Sequence, residues 1–198
     1  MKRNTLKELA TRLKIRKSPT IDVLTKQVIL HTFDQMQIKA DAKSQCIREH
    51  VGASILEIDL SDELIEHHSA VNGPTTKQEC KREWNSHTKS IACNCGHAES
   101  RVVIKYLKSF IGKPRYLPPN NVRVVLISTH TLCINCANIV IDSGLIDVVA
   151  YDRPYNMFSG GTGFKKLEAS LDIRLWTKEM IEADVENNYI RSWLTRNK

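Results

Sequence analysis

The chain has 198 residues, 41% hydrophobic and 26% charged, the balance of a globular protein with one domain and an appendage, or at most two small domains. No apolar run approaches the ~20 residues of a membrane span, and the basic N-terminus lacks a signal peptide's apolar stretch, so neither a membrane partner nor secretion is expected, and a cytoplasmic location is. The formal net charge of +7 looks like a nucleic-acid signal. Its location weakens that reading: Lys2, Arg3, Lys7, Arg12, Lys14, Arg16 and Lys17 stand against Glu8 alone in residues 1–17, which leaves about +1 on the remainder. A solvated basic arm is favoured there over a nucleic-acid-binding one.

In chain order, Leu6, Leu9, Ala10 and Leu13 predict a short amphipathic helix over 5–14, and Ser18-Pro19-Thr20 interrupts it. A longer helix follows from about Ile21 to Arg48. Val51–Ile58 reads as a strand and Leu64–Val71 as its hairpin partner. His67 and His68, adjacent in that strand, point to opposite faces and are expected to be structural. Asn72-Gly73-Pro74 breaks the strand.

Residues 74–96 are a polar insertion, with Trp84 as its expected anchor and Cys80, His87, Cys93 and Cys95 within it. Composition of that kind buries little core, so a metal is the expected brace. A helix is predicted from His97 to about Ile111, a loop over 112–121, and a buried strand over Val122–Ser128 aimed at Cys133. Then come a helix from Cys133 to Ser143, with Thr131 or a neighbour as its cap and Gly144 as its stop, and a strand over Asp147–Tyr151. Ser159–Gly163 lacks the ending of a phosphate loop and reads as a turn into a helix from Phe164 to Leu171. Asp172–Trp176 is a last strand, and a helix from Lys178 is expected to pack on the core or a sister subunit. Strands and helices in this order predict an α/β fold of three layers, with a mixed five-stranded sheet between helices. The expected divisions are 1–17 as the basic extension, 18–177 as the domain and 178–198 as the closing helix.

The chemistry concentrates in Asn94-Cys95-Gly96-His97-Ala98-Glu99 and Leu132-Cys133-Ile134-Asn135-Cys136. His97, Cys133 and Cys136 supply one imidazole and two thiolates, three ligands for zinc with a fourth position left for water, whose pKa the metal lowers to about 7. Glu99 is spaced to stand beside the metal and move protons. C-x-x-C alone also fits a structural zinc or a redox pair, but neither accounts for Glu99. H-x-E followed by P-C-x-x-C is the signature of zinc-dependent nucleobase deaminases, and the chain matches it except for Leu132 in place of the proline.

Over residues 20–177 the sequence resembles the cytidine deaminase superfamily and, within it, the deoxycytidylate (dCMP) deaminase family of the phage type. Ser44-Gln-Cys46-Ile-Arg-Glu-His-Val51-Gly-Ala53 resembles the family's S-x-C-x-R-x-x-V-G-A, Ala70-Val-Asn72-Gly73-Pro74 its G-Y-N-G-x-P, and Asp142-Ser-Gly144-Leu-Ile-Asp-Val148-Val its S-G-I-x-x-V-V. The resemblance implies a cytidine deaminase-like fold and hydrolytic deamination of dCMP to dUMP and ammonia, supplying dUMP for thymidylate synthesis. It implies that His97, Cys133 and Cys136 hold the catalytic zinc, that Glu99 is the catalytic proton shuttle, and that Asn72, Ala98 and Tyr155 contact substrate, Asn72 through the sugar. It also implies a second, structural zinc on Cys46, Cys80, His87 and Cys95, with Cys93 as the alternate to Cys95. A homo-hexamer, dCTP and dTTP as allosteric effectors accompanied by Mg2+, and the cytoplasm of a bacterial or phage-infected cell follow from the same resemblance. Arg48, Lys77, Arg153 and Lys165 are unranked candidates for the 5′-phosphate. Val71, Pro74, Thr131 and Leu132 depart from the family pattern. The rival readings are a tRNA adenosine deaminase, a polynucleotide cytosine deaminase and a non-catalytic deaminase-fold regulator; the long insertion argues against the first, the lack of an aromatic platform against the second, and Glu99 against the third.

Overall fold

The computed structural model describes residues 23–46, 49–59, 64–75, 79–80, 82–85, 90–93, 95–111, 122–153, 160–170 and 173–196. The basic arm, the 112–121 loop and the side chain of Trp84 lie outside the described residues. Helix α1 (Val23–Lys43) leads into strands β1 (Gly52–Asp59) and β2 (Leu64–Val71), which pair antiparallel from Gly52↔Val71 onward. The insertion carries the short pair β3 (Gly73–Pro74) with β6 (Cys95–Gly96), and the hairpin β4 (Arg82–Asn85) with β5 (Ser90–Cys93). After it come α2 (Ala98–Ser109), β7 (Val122–His130), α3 (Ile134–Ser143), β8 (Val148–Arg153), α4 (Gly160–Glu168), β9 (Arg174–Thr177) and α5 (Lys178–Arg196).

The main sheet has five strands in the order β2-β1-β7-β8-β9. β1 runs antiparallel to both β2 and β7, whereas β7, β8 and β9 are parallel, so the sheet is mixed. The strand period of two sorts its side chains onto two cores. Ala53, Ile55, Val124, Leu126 and Val149 pack with Val102, Val103 and Tyr106 of α2, Ala137 and Val140 of α3 and Leu167 of α4. On the other face Leu56, Ile58, Val125, Ile127, Val148 and Ala150 pack with Ile29 and Phe33 of α1 and Ile181 of α5. This is the predicted three-layer α/β arrangement. It explains why the middle strands read as unbroken apolar runs: they are covered on both sides. The last helix packs on α1, joined at its edge by Lys26–Asp184 and Lys178–Asp34 ion pairs of 2.6 and 3.0 Å.

Several boundaries differ from the sequence reading. α1 stops at Lys43, not Arg48, because Ser44 turns its hydroxyl to Asn72 Oδ1 (2.6 Å) and receives the Cys46 amide (3.2 Å), a local alternative to the helix ladder. β7 runs to His130, two residues beyond the predicted end, and β8 to Arg153, because the two pair in parallel as far as His130↔Arg153. α3 has Cys133 itself at its N-cap position, with no side-chain cap, where Thr131 or a neighbour was expected. α4 begins at Gly160, inside the glycine run read as a turn, and ends at Glu168. Gly144 terminates α3 as predicted, at φ 61°.

Candidate metal centre

Two helix starts meet at the end of the central strand. His97 is the N-cap of α2 and Cys133 the N-cap of α3, both with extended backbone (φ −72°, ψ 144° and φ −70°, ψ 167°). Neither side chain caps its own helix, so both are free to turn toward each other. Cys136 and Glu99 follow in the first turns. The positive ends of the two helices favour negative charge at this point, which suits a thiolate and a carboxylate.

His97 Nδ1 lies 3.3 Å from Cys133 Sγ and 3.5 Å from Cys136 Sγ. The three ligand atoms all lie within 4.8 Å of one another. A tetrahedral zinc with bonds of about 2.1 Å to nitrogen and 2.3 Å to sulfur has N···S edges of about 3.6 Å. The donor set and spacing therefore fit zinc. A hydrogen bond between the two cysteine side chains pulls Cys133 well below its ordinary value and pushes Cys136 up. The contact with Cys133 raises His97. A divalent cation here would displace those protons, as metal binding to thiols and imidazole requires.

Glu99 is 3% exposed, and burial pushes its carboxyl up to about 7. Its Oε2 stands 3.9 Å from Cys136 Sγ, and its Oε1 accepts from Ser128 Oγ at 3.4 Å. A carboxyl poised near neutral pH is suited to both taking and giving a proton. Ser128 was not singled out in the sequence, because no motif includes it; its place at the end of a strand aimed at Cys133 was the available signal.

A second cluster lies close by. The sulfurs of Cys46, Cys80 and Cys95 are all within 4.8 Å of one another. Cys46 follows α1, Cys80 lies in the insertion, and Cys95 pairs with Pro74 across β3 and β6, two residues before His97. Three convergent sulfurs suit a thiolate-rich zinc site. His87, the predicted fourth ligand, lies outside the described residues, as does the side chain of the alternate, Cys93.

Asn72 is nearly buried, and most of its bonding capacity is used within the protein. Its Oδ1 accepts from Val51 N at 2.9 Å and from Ser44 Oγ, and its Nδ2 donates to the Glu49 carbonyl at 2.7 Å. Among the described residues nothing accepts its second Nδ2 hydrogen. Ala98 is buried in the first turn of α2. Arg153 and Lys165 are exposed; Tyr155, Arg48 and Lys77 lie outside the described residues.

No protein-family model matches the sequence, and no curated protein matches it. Among solved structures, the dCMP deaminase of cyanophage S-TIM5 in complex with dCMP and dUMP is similar with a TM-score of 0.52 and 19% identity, over 76% of this chain and 96% of that one. The apo form of the same phage enzyme gives 0.52 and 16%, over 76% and 97%. No helix among the described residues is long and apolar enough to cross a membrane. The five-stranded mixed sheet with helices on both faces is thus the cytidine deaminase-like fold, the fold that this phage enzyme has.

Proposed function

We propose that the protein is a zinc-dependent hydrolytic deaminase whose substrate is dCMP. The observation that carries the reading is the convergence of His97, Cys133 and Cys136 around one point, with the buried Glu99 carboxyl beside it. The choice of dCMP rests on the motif resemblance over residues 20–177 and on likeness of fold to an enzyme solved with dCMP and dUMP.

A zinc ion held by His97, Cys133 and Cys136 would supply water acidified to a pKa of about 7. Glu99 does the proton work. Its Oε2 accepts a proton from the attacking water and delivers it to ring N3 of cytosine. As C4 gains the oxygen and the C4–N bond breaks, Glu99 carries the second proton to the departing amine, which leaves as ammonia. Ser128 orients the carboxyl by donating to Oε1. Asn72 offers its remaining Nδ2 hydrogen to the sugar, and Ala98 and Tyr155 complete the substrate contacts.

The Cys46, Cys80 and Cys95 cluster, with His87, serves in this reading as a structural zinc site that ties the insertion to the domain spanning 18–177. By the same resemblance the enzyme is a homo-hexamer regulated by dCTP and dTTP with Mg2+, acting in the cytoplasm.

The test is turnover by purified protein on dCMP, deoxycytidine, single-stranded DNA and tRNA, with zinc counted per chain. Product from dCMP alone supports the proposal. Inosine formed in tRNA selects a tRNA deaminase, and zinc-loaded protein inert on every substrate selects the regulator.

A further inference from the structure

Helix α4 starts within a glycine run, and one glycine of that run touches the metal-binding loop. A β-carbon built on Gly163 would stand 2.3 Å from the Leu132 carbonyl oxygen, 2.6 Å from the Cys133 carbonyl carbon and 2.8 Å from the Cys133 carbonyl oxygen. All three atoms are backbone, and they belong to the segment that carries the first thiolate. Gly163 has no positive φ; it is needed for space, not for an unusual backbone conformation. α4 is braced in this position by Leu167, one turn on, which is 2% exposed in the core that also holds Leu132 and Cys136.

The contacted segment is where the chain departs from the P-C-x-x-C pattern. Proline before the first cysteine would fix its own φ near −65° and hold the preceding residue extended. Leu132 supplies neither restraint. Its side chain is buried in the core, and its amide donates no hydrogen bond among the described residues. The Cys133 carbonyl that faces Gly163 also accepts the first helical bond of α3, from Ala137 N at 2.9 Å.

We propose that Gly163 is a positioning residue for the zinc-binding thiolates: its bare Cα lets α4 close on the Leu132–Cys133 peptide and hold Cys133 at the head of α3, a restraint that proline provides in the signature. The inference rests on the zinc reading of the His97 site.

The experiment follows zinc release to excess chelator, with zinc counted per chain, for the wild type, Gly163→Ala, Leu132→Pro, the double variant and, as a control on the same helix, Lys166→Ala. Gly163→Ala is expected to release the ion on which turnover depends at least tenfold faster than wild type, and Lys166→Ala at the wild-type rate. In the double variant, release is expected to return to within threefold of Leu132→Pro alone, because proline replaces the lost restraint. Equal release from Gly163→Ala and wild type overturns the proposal, as does a double variant in which the two effects simply multiply. Should Gly163→Ala alone fail to fold, a double variant that folds and holds zinc supports the restraint, and one that also fails overturns it. A wild type that binds no zinc at the His97 site overturns the metal reading itself, an outcome distinct from all of these.

Discussion

Ser128 Oγ meets Glu99 Oε1 across 3.4 Å, joining the central strand of the sheet to the helix that carries the acid. The bond is long, and Glu99 is held chiefly by its burial in α2. Glu99→Gln should therefore lower kcat by about 10²–10⁴-fold, the usual contribution of a placed proton carrier, while zinc stays bound. Ser128→Ala removes one hydrogen bond of ordinary net strength and should lower kcat by less than about tenfold. Steady-state rates with metal analysis check both; full activity in Glu99→Gln would remove the carboxyl from the mechanism.

Zinc affinity at the first site should fall steeply on acidification. The site binds the ion only with His97 neutral and both sulfurs as thiolates, and in the metal-free protein the His97 value is raised by its contact with Cys133. Competition with a chelator from pH 8 to pH 6 measures this, and an affinity that is flat over that range would speak against two thiolate ligands.

Cys80→Ser should cost one zinc per chain and lower Tm before it alters the rate of the remaining folded enzyme. Cys80 shares a cluster with Cys46 and Cys95 but not with His97, Cys133 or Cys136. Unchanged zinc stoichiometry in this variant would show that the three sulfurs are only packed thiols.

His67 gives a pH dependence to stability. Its Nε2 donates to Ser54 Oγ at 2.6 Å, since the Ser54 hydroxyl is itself donated to the His68 carbonyl. Burial first, then the charges of Lys39, His68 and Lys105, push its pKa below the ordinary 6.5. A folded-state value below the unfolded one means that the unfolded chain takes up the proton first. The contribution is fully present above about pH 6.5 and is lost as pH falls through the folded value. Thermal melts at pH 7.5 and 5.5 should show a smaller drop for His67→Gln than for wild type.

The docking of α5 on α1 should depend on packing more than on charge. Ile181 is 2% exposed in the core beneath the helix, and truncation to alanine should cost about 2–5 kcal/mol. The Lys26–Asp184 pair has an exposed aspartate, so Lys26→Ala should cost less than about 1 kcal/mol. Urea unfolding of the two variants ranks them.

The parts of the fold that periodicity reports were legible. Leu64–Val71 has the predicted bounds, and two groups of candidate ligands come together: His97, Cys133 and Cys136, which the motif spacing announced, and Cys46, Cys80 and Cys95, which the family resemblance implied. The start of α4 was not legible: glycine is a poor helix former, and what fixes Gly160–Gly163 in a helix is a tertiary contact with residues some thirty positions earlier. Ser128 and the internal hydrogen bonds of Asn72 escaped for the same reason, since their partners are distant in sequence. The end of α1 was set by a side chain, Ser44, whose bond to Asn72 no local pattern announces.

The unfilled caps of α2 and α3 carry a consequence for engineering. Serine, aspartate or asparagine at an N-cap typically adds about 0.5–2 kcal/mol over a residue that does not cap, and neither His97 nor Cys133 supplies that bond. A screen that selects for thermostability in the absence of metal would thus reward replacement of these two positions. The most heat-resistant descendants of this chain would then be the ones that had lost their chemistry.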